Sequence, residues 1–183
     1  YTLWFALKLL IPASQLQPQP RLQKFLTWTL AIVAIQLIYG AFMAGLKAAT
    51  AAITWPDING RFFPEPLANY AGRTYSGVSM LFDHPLMVHF IHRNLAYILV
   101  VLVAIWTIRS WKLNSTSLFK SFRNWPLLLV LIQVILGILT VLYAANPKAL
   151  LWFGVAHQAG AMFLLVTLFA NYFIVRSSKS SLS

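Results

Sequence analysis

The four histidines of this 183-residue chain are its side chains best suited to bind a metal: His84, His89, His92 and His157. His92 lies about seven residues into an apolar run that begins at Pro85, and His157 about eight residues into one that begins at Ala149. At a rise of about 1.5 Å per helical residue, both imidazoles lie roughly 10–12 Å from the start of their helices. Two imidazoles at equal depth on different helices predict a planar metal cofactor between them, with His92 and His157 as ligands.

Haem iron is the metal that suits this pair best. The segment contains no cysteine, which excludes thiolate metal sites, disulfides and covalent c-type haem attachment. Zinc is the competing metal, but no third protein ligand is expected at that depth. An alternative without metal stays open, in which each histidine forms a hydrogen bond with Gln36 or Gln133 of a neighbouring helix. His89 is either a neighbour of the site or a competing ligand, and His84 is interpreted as a helix-entry residue.

Two cations near the same ends of the helices are candidates to bind the propionates of a haem. Arg93 follows His92 directly, and Lys47 lies near the end of the first long apolar run. The alternative for both is that the charged group extends to the membrane interface. Room for a bulky ring is expected beside His157, where the neighbours are small: Ala156, Ala159, Gly160 and Ala161.

The composition predicts that these residues are held by membrane helices. The chain is 60% hydrophobic and 9% charged, and its mean hydropathy is +0.72. Soluble domains carry about 25% charged residues, so both a soluble and a disordered protein are excluded. The net charge of +11 is interpreted as a topology signal. Nucleic acid is not expected as a partner, because no basic stripe alternates with exposed aromatic residues.

Four apolar runs are long enough to cross a membrane as helices. They cover Phe25–Thr50, Pro85–Ile108, Trp125–Ala145 and Ala149–Val175. The predicted fold is therefore an all-α integral membrane four-helix bundle over residues 25–176, followed by a tail at 177–183. The shorter run Tyr1–Ile11 predicts the end of a further helix, joined to the bundle by a linker that extends to residue 24. Since the chain begins with Tyr and not Met, we expect it to be a fragment.

Charge sorting predicts the orientation of the bundle. The connector at 109–124 carries four cations and no acid, so it and the C-terminus are predicted to be cytoplasmic. The loop at 51–84 contains all three acids and is predicted to lie outside. Its length and its aromatic residues favour an ordered cap over the ends of the helices, with a mobile surface loop as the alternative.

A weak internal repeat divides the four runs into two pairs. Residues 35–40 read IQLIYG and residues 132–137 read IQVILG, so each contains a Gln-x-x-x-Gly motif. Each motif is followed by a helix that bears a histidine. The chain is therefore predicted to contain two helix pairs, the first with the long loop inserted.

Several short motifs, in their order and spacing, resemble the C-terminal half of the haem A synthase family. They are GAFMAGL at 40–46, WPD at 55–57 with Gly60 and Pro64, HR at 92–93, and AHQ at 156–158 with Gly160. The resemblance extends from about residue 25 to 175. It implies an oxidoreductase that oxidises a methyl group of haem O to the formyl group of haem A for cytochrome oxidase assembly.

The resemblance also implies an architecture and a set of partners. The family has eight helices in two pseudo-symmetric halves, with the substrate haem and a key glutamate in the N-terminal half and haem b in the C-terminal half. His92 and His157 match the two haem-b ligands, whereas catalytic residues are expected in the absent half. The implied location is the bacterial cytoplasmic membrane. The implied partners are haem O, membrane lipid, haem O synthase and oxidase assembly proteins, and a homo-oligomer is left open.

Two positions depart from the family pattern. Lys47 stands where some members have an acid, and His89 occupies a position that is commonly Gln. Two other functions stay open at this point. One is a b-type cytochrome subunit that only transfers electrons, and the other is a membrane transporter or scaffold without a cofactor.

Overall fold

The structure is a computed structural model that describes residues 1–65 and 68–177. Its helices are α1 (Thr2–Leu10), α2 (Pro20–Gly45), α3 (Ala48–Ala51), α4 (Ser79–Phe82), α5 (Pro85–Trp111), α6 (Ser117–Phe122), α7 (Trp125–Leu142) and α8 (Pro147–Ile174). A 3-10 turn covers Ala13–Gln15, and the short strands β1 (Asn69–Tyr70) and β2 (Arg73–Thr74) pair antiparallel. The predicted all-α fold with four long apolar helices is confirmed, because α2, α5, α7 and α8 are each suited to spanning a membrane.

Proline sets the start of each long helix. The first or second position of each long helix is a proline: Pro20, Pro85, Pro126 and Pro147. At these positions the fixed φ of proline suits a helix, and a backbone N–H would have no partner within the helix in any case. The first helix consequently begins at Pro20, within the predicted linker, and the fourth begins at Pro147 instead of Ala149. At its other end α2 stops at Gly45, before the predicted limit of Thr50. Lys47 adopts a left-handed backbone conformation there, with φ of 49°, which ends the helix.

The four long helices pack as two pairs, as the internal repeat predicts. α2 packs chiefly against α5, and α7 chiefly against α8, with smaller contacts between α5 and α7 and between α2 and α8. α1 lies against the end of α8, where Leu7 packs with Ala170 and Phe173. The histidine-bearing helices α5 and α8 are therefore each supported by a partner that carries one Gln-x-x-x-Gly motif.

Two apolar clusters define the ends of the bundle. At one end, which we call the basic end, Leu26, Trp106, Phe119 and Ile174 form the main core. At the other, which we call the loop end, Ala49, Val141 and Ala144 pack together, with Met43 and Leu150 against them. The 51–84 loop and the short turn after α7 both lie at the loop end. The predicted tail 177–183 lies outside the described residues, except for Ser177.

Candidate metal centre between the helix pairs

The structure brings His92 of α5 and His157 of α8 together between the two helix pairs. Their ring centroids are 6.4 Å apart, and the ring planes meet at 71°. A metal–imidazole bond is about 2.1 Å and a ring nitrogen lies about 1.2 Å from the ring centre, so two imidazoles on opposite sides of one metal have centroids about 6.5 Å apart. The observed separation therefore fits two imidazole ligands of one metal ion.

Each histidine lies against the glycine of a Gln-x-x-x-Gly motif. A Cβ added at Gly40 would come within 3.4 Å of His92 Cε1, and one added at Gly137 within 3.3 Å of His157 Cε1. The distance at Gly137 is shorter than ordinary van der Waals contact and the one at Gly40 lies at its lower limit, so each ring lies directly against the position that a side chain would take. In each helix pair, therefore, the glycine of the motif packs against one imidazole.

Several polar atoms around the two rings are buried without a hydrogen-bond partner. They are His92 Nδ1, His157 Nδ1, Gln36 Oε1 and Gln133 Nε2. The Gln36 amide nitrogen lies 3.4 Å from His92 Nε2, which is long for a hydrogen bond. The predicted alternative, in which Gln36 and Gln133 form hydrogen bonds with the two histidines, is thus only partly observed. Buried polar groups without partners are costly, and a coordinated group between the rings would relieve part of that cost.

In the described part of the chain, no third metal ligand accompanies the pair. Within residues 1–65 and 68–177, no three side chains of the His, Cys, Asp and Glu types come together in a way that could hold a metal ion. A structural zinc site takes four protein ligands and a catalytic one takes three. Two imidazoles without a thiolate instead suit a haem iron, whose other four ligands come from the porphyrin.

The other two histidines and Arg93 lie toward the loop end of α5. His89 is 3% exposed and Arg93 is 7% exposed, and both carry buried nitrogen atoms without partners. Arg93 Nη1 donates a hydrogen bond of 2.7 Å to the backbone carbonyl of Asp57. His84 is fully buried, and its Nδ1 accepts from the backbone N–H of Met87, so it caps α5 as the sequence predicts for a helix-entry residue.

Contacts along α5 hold the 51–84 loop in place. Phe62 and Phe63 pack edge-on against Phe90, and Trp55 Nε1 donates to the Tyr97 hydroxyl. Ile58, which is 2% exposed, joins Ala52 and Leu86 in a separate apolar cluster. The described part of the loop thus covers the helix that carries His92.

Electrostatic effects in the loop favour its folded form near neutral pH. The hydrogen bond from Thr54 and the backbone N–H of Gly60, 3.0 Å from Asp57 Oδ1, hold the pKa of the Asp57 carboxyl below its usual value. Burial between the rings of Tyr70 and Tyr75 lowers the pKa of His84, because the charged form loses its hydration.

The remaining predicted site residues differ in their exposure. Lys47 is exposed in the turn after α2, where its carbonyl accepts from the Thr50 hydroxyl. Ala156 and Ala159 are exposed on α8, whereas Gly160 faces α7, and a Cβ there would overlap the Gln133 amide. The sequence places Gly40 in the Gln-x-x-x-Gly repeat but does not predict its contact with His92.

Comparison with known proteins identifies the family. A family model described as cytochrome oxidase assembly protein (COX15-CtaA) matches residues 1–169. The heme A synthase of Flavobacterium psychrophilum is 38% identical over 98% of this chain and 50% of its own length, and that of Flavobacterium johnsoniae is 34% identical over the same shares. The heme A synthase of Brucella suis is 31% identical over 89% of this chain and 43% of its own length.

The matched region is most of this chain but only part of each relative. The chain spans about half the length of the curated relatives it matches. No solved structure matches it. Since the family model covers most of the chain, the resemblance predicted from the sequence is confirmed, and the chain belongs to the COX15-CtaA family of cytochrome oxidase assembly proteins.

Proposed function

We propose that this chain is the haem-b-holding, C-terminal half of a haem A synthase-type membrane oxidoreductase. The observation that carries the proposal is the 6.4 Å separation of the His92 and His157 rings. Membership of the family and the heme A synthase names of its relatives support the reaction class. The reaction would be oxidation of a methyl group of haem O to the formyl group of haem A.

The chain's own residues would hold and enclose the cofactor. His92 and His157 would bind the iron, and Gly40 and Gly137 leave the space in which the two rings lie. Arg93 is a candidate to bind a propionate, and Lys47 a weaker one because it is exposed. The bound haem would supply one-electron chemistry or stabilise the fold. Glu65, Asp57 and Asp83 all belong to the 51–84 loop, so a catalytic carboxylate is expected in the other half of the protein.

The location follows from the charges at the two ends. The four apolar helices would cross a bacterial cytoplasmic membrane, with the 51–84 loop outside and the connector 109–124 in the cytoplasm. Haem O would be the substrate. Haem O synthase and cytochrome oxidase assembly proteins are proposed partners, since haem must be delivered to and taken from the site.

Haem analysis of the purified chain tests the cofactor part of the proposal. The alkaline pyridine spectrum should show b-type haem at one haem per chain, and the dithionite-reduced protein should show a six-coordinate low-spin spectrum. A protein that stays colourless when produced with sufficient haem would contradict the proposal. It would favour a scaffold in which the histidines bond only to neighbouring side chains.

A hybrid protein tests the reaction. The matching half of the Flavobacterium psychrophilum heme A synthase would be replaced by this chain and produced in cells that lack the enzyme. We expect haem A in extracted haems, and none when the hybrid carries His92→Ala. Bound haem b without any haem A from the hybrid would instead favour a b-type cytochrome subunit that only transfers electrons.

A further inference from the structure

A second polar site lies on α5, next to His92 and beneath the 51–84 loop. His89 and Arg93 are four residues apart and therefore share one face of the helix. Both are more than nine-tenths buried. His89 Nδ1, Arg93 Nε and Arg93 Nη2 are buried and have no hydrogen-bond partner.

The Asp57 carboxylate is close enough to attract the charge of Arg93, but the two side chains do not bond to each other. The one hydrogen bond of Arg93 goes to the backbone carbonyl of Asp57, while the Asp57 carboxylate accepts from Gly60. In the described ranges the one salt bridge joins Arg61 and Glu65, on the exposed surface of the loop. A buried guanidinium without a directly bonded anion is costly, so this environment favours the binding of a negative group.

The unpartnered atoms also have the right chemistry for one anion. The guanidinium of Arg93 keeps two nitrogen atoms, Nε and Nη2, for a carboxylate, which arginine binds in a fork-like geometry. His89 can add a third donor through Nδ1 when its tautomer places the hydrogen there. Asn94, the next residue along α5, bonds to the Phe90 carbonyl and does not compete.

We propose that His89 and Arg93 together form a binding site for one carboxylate, and that a propionate of the haem held by His92 occupies it. This inference rests on the proposed function, because it takes its ligand from the same cofactor. It assigns a ligand-binding role to His89, one of the two positions at which the chain departs from the family pattern. His89 thereby ceases to be a competing iron ligand.

The test compares two forms of one cofactor. The cofactor-free chain in detergent is titrated with iron protoporphyrin IX and with its dimethyl ester, which has the same iron and porphyrin but no free carboxylate. Binding is followed by the Soret band. Because hydrogen bonds to a charged group are among the stronger ones, we expect the free acid to bind about ten- to a hundredfold more tightly than the ester.

Substitutions at Arg93 and His89 test whether these residues cause the preference for the free acid over the ester. Arg93→Gln and His89→Asn keep polar side chains of moderate size, and in each the ratio of the two affinities should fall toward one. Arg61→Gln is the matched control, since Arg61 lies on the exposed surface of the same loop, and its ratio should stay that of the parent. Circular dichroism on each variant reports whether the helices are intact.

The outcomes separate this inference from the proposed function. Equal affinity for acid and ester in the parent would overturn the carboxylate site while leaving the six-coordinate haem in place. A preference that survives in both Arg93→Gln and His89→Asn would place the carboxylate elsewhere and overturn it as well. Failure of both cofactor forms to give a six-coordinate spectrum would overturn the proposed function, and this inference with it.

Discussion

The two helix pairs hold their histidines in the same way but are covered very differently. In the pair α2–α5, His92 lies against Gly40, and the 51–84 loop packs over the same helix. In the pair α7–α8, His157 lies against Gly137, but the turn between the helices is short and the residues around His157 are largely exposed. The position of each imidazole thus depends on the repeated motif, whereas the 51–84 loop covers the α2–α5 pair.

This difference separates two tasks that a cofactor site must combine. Placing two metal ligands requires room for each imidazole ring, and both pairs supply it. Binding the polar edge of a cofactor beside the loop requires buried donors there, and the first pair has them in His89 and Arg93. The exposed apolar face of α8, with Val155, Met162 and Phe163, is suited to contact with lipid or with another part of a longer protein.

The largest expected effect comes from filling the space that the two rings occupy. Gly40→Val and Gly137→Val each add carbons where even one Cβ is already close to an imidazole. Since overpacking of this kind costs about 1–3 kcal/mol, haem affinity should fall about tenfold or more in both variants. Soret titration measures it, with Gly154→Val as control because a Cβ there meets nothing within 4 Å. A loss in one variant alone would break the equivalence of the two pairs.

A smaller effect is expected in the α7–α8 pair from Gly160→Ala. The added methyl group would overlap the Gln133 amide, so that side chain must move to another rotamer at about 1 kcal/mol. Gly154→Ala, on the same helix, should be neutral or slightly stabilising because alanine favours helix. In thermal unfolding in detergent, Gly160→Ala should therefore have a lower midpoint temperature than Gly154→Ala. Equal midpoints for the two would show that Gln133 is not held tightly.

The 51–84 loop, which packs on the α2–α5 pair, should become less stable in acid. The pKa of His84 is lowered in the folded state, so the unfolded loop binds the proton more readily, and stability falls as pH drops below the ordinary value of about 6.5. Digestion by a protease active from pH 5 to 8 should be faster at pH 5. His84→Asn retains a helix-capping side chain and should remove this dependence. An unchanged pH profile in that variant would assign the effect to another group.

The smallest effect should come from Trp55→Phe. The substitution removes one hydrogen bond to Tyr97 at an exposed position, which is expected to cost within about 0.5 kcal/mol. The thermal midpoint should change little, and haem affinity should stay that of the parent. A large loss of haem binding would mean that this contact, and not the interior packing around Ile58, holds the loop over α5.

Sequence alone predicted the helices and the histidine pair because both depend on local patterns. Long apolar runs and the equal depths of His92 and His157 can both be read along the chain. The exact limits of α2 were missed, since Lys47 ends the helix through a backbone conformation that composition does not reveal.

The contacts around Arg93 could not be predicted for a different reason. Its hydrogen bond joins α5 to the carbonyl of Asp57, 36 positions earlier in the chain, and such backbone contacts leave no side-chain pattern. The burial of His89 likewise depends on how the loop folds over the helix. For the glycines of the two motifs the signal was present in the repeat, but only the packing of α2 on α5 and α7 on α8 shows what they contact.

The most direct test of the central claim is the coordination state of the iron in His92→Ala and His157→Ala, each measured with and without added imidazole. Both variants should lose the six-coordinate low-spin spectrum of the parent and give a five-coordinate haem. Added imidazole should restore six-coordination in both, because the small side chain leaves room for the missing ligand. A six-coordinate spectrum that survives either substitution without imidazole would contradict the assignment of His92 and His157 as the paired ligands.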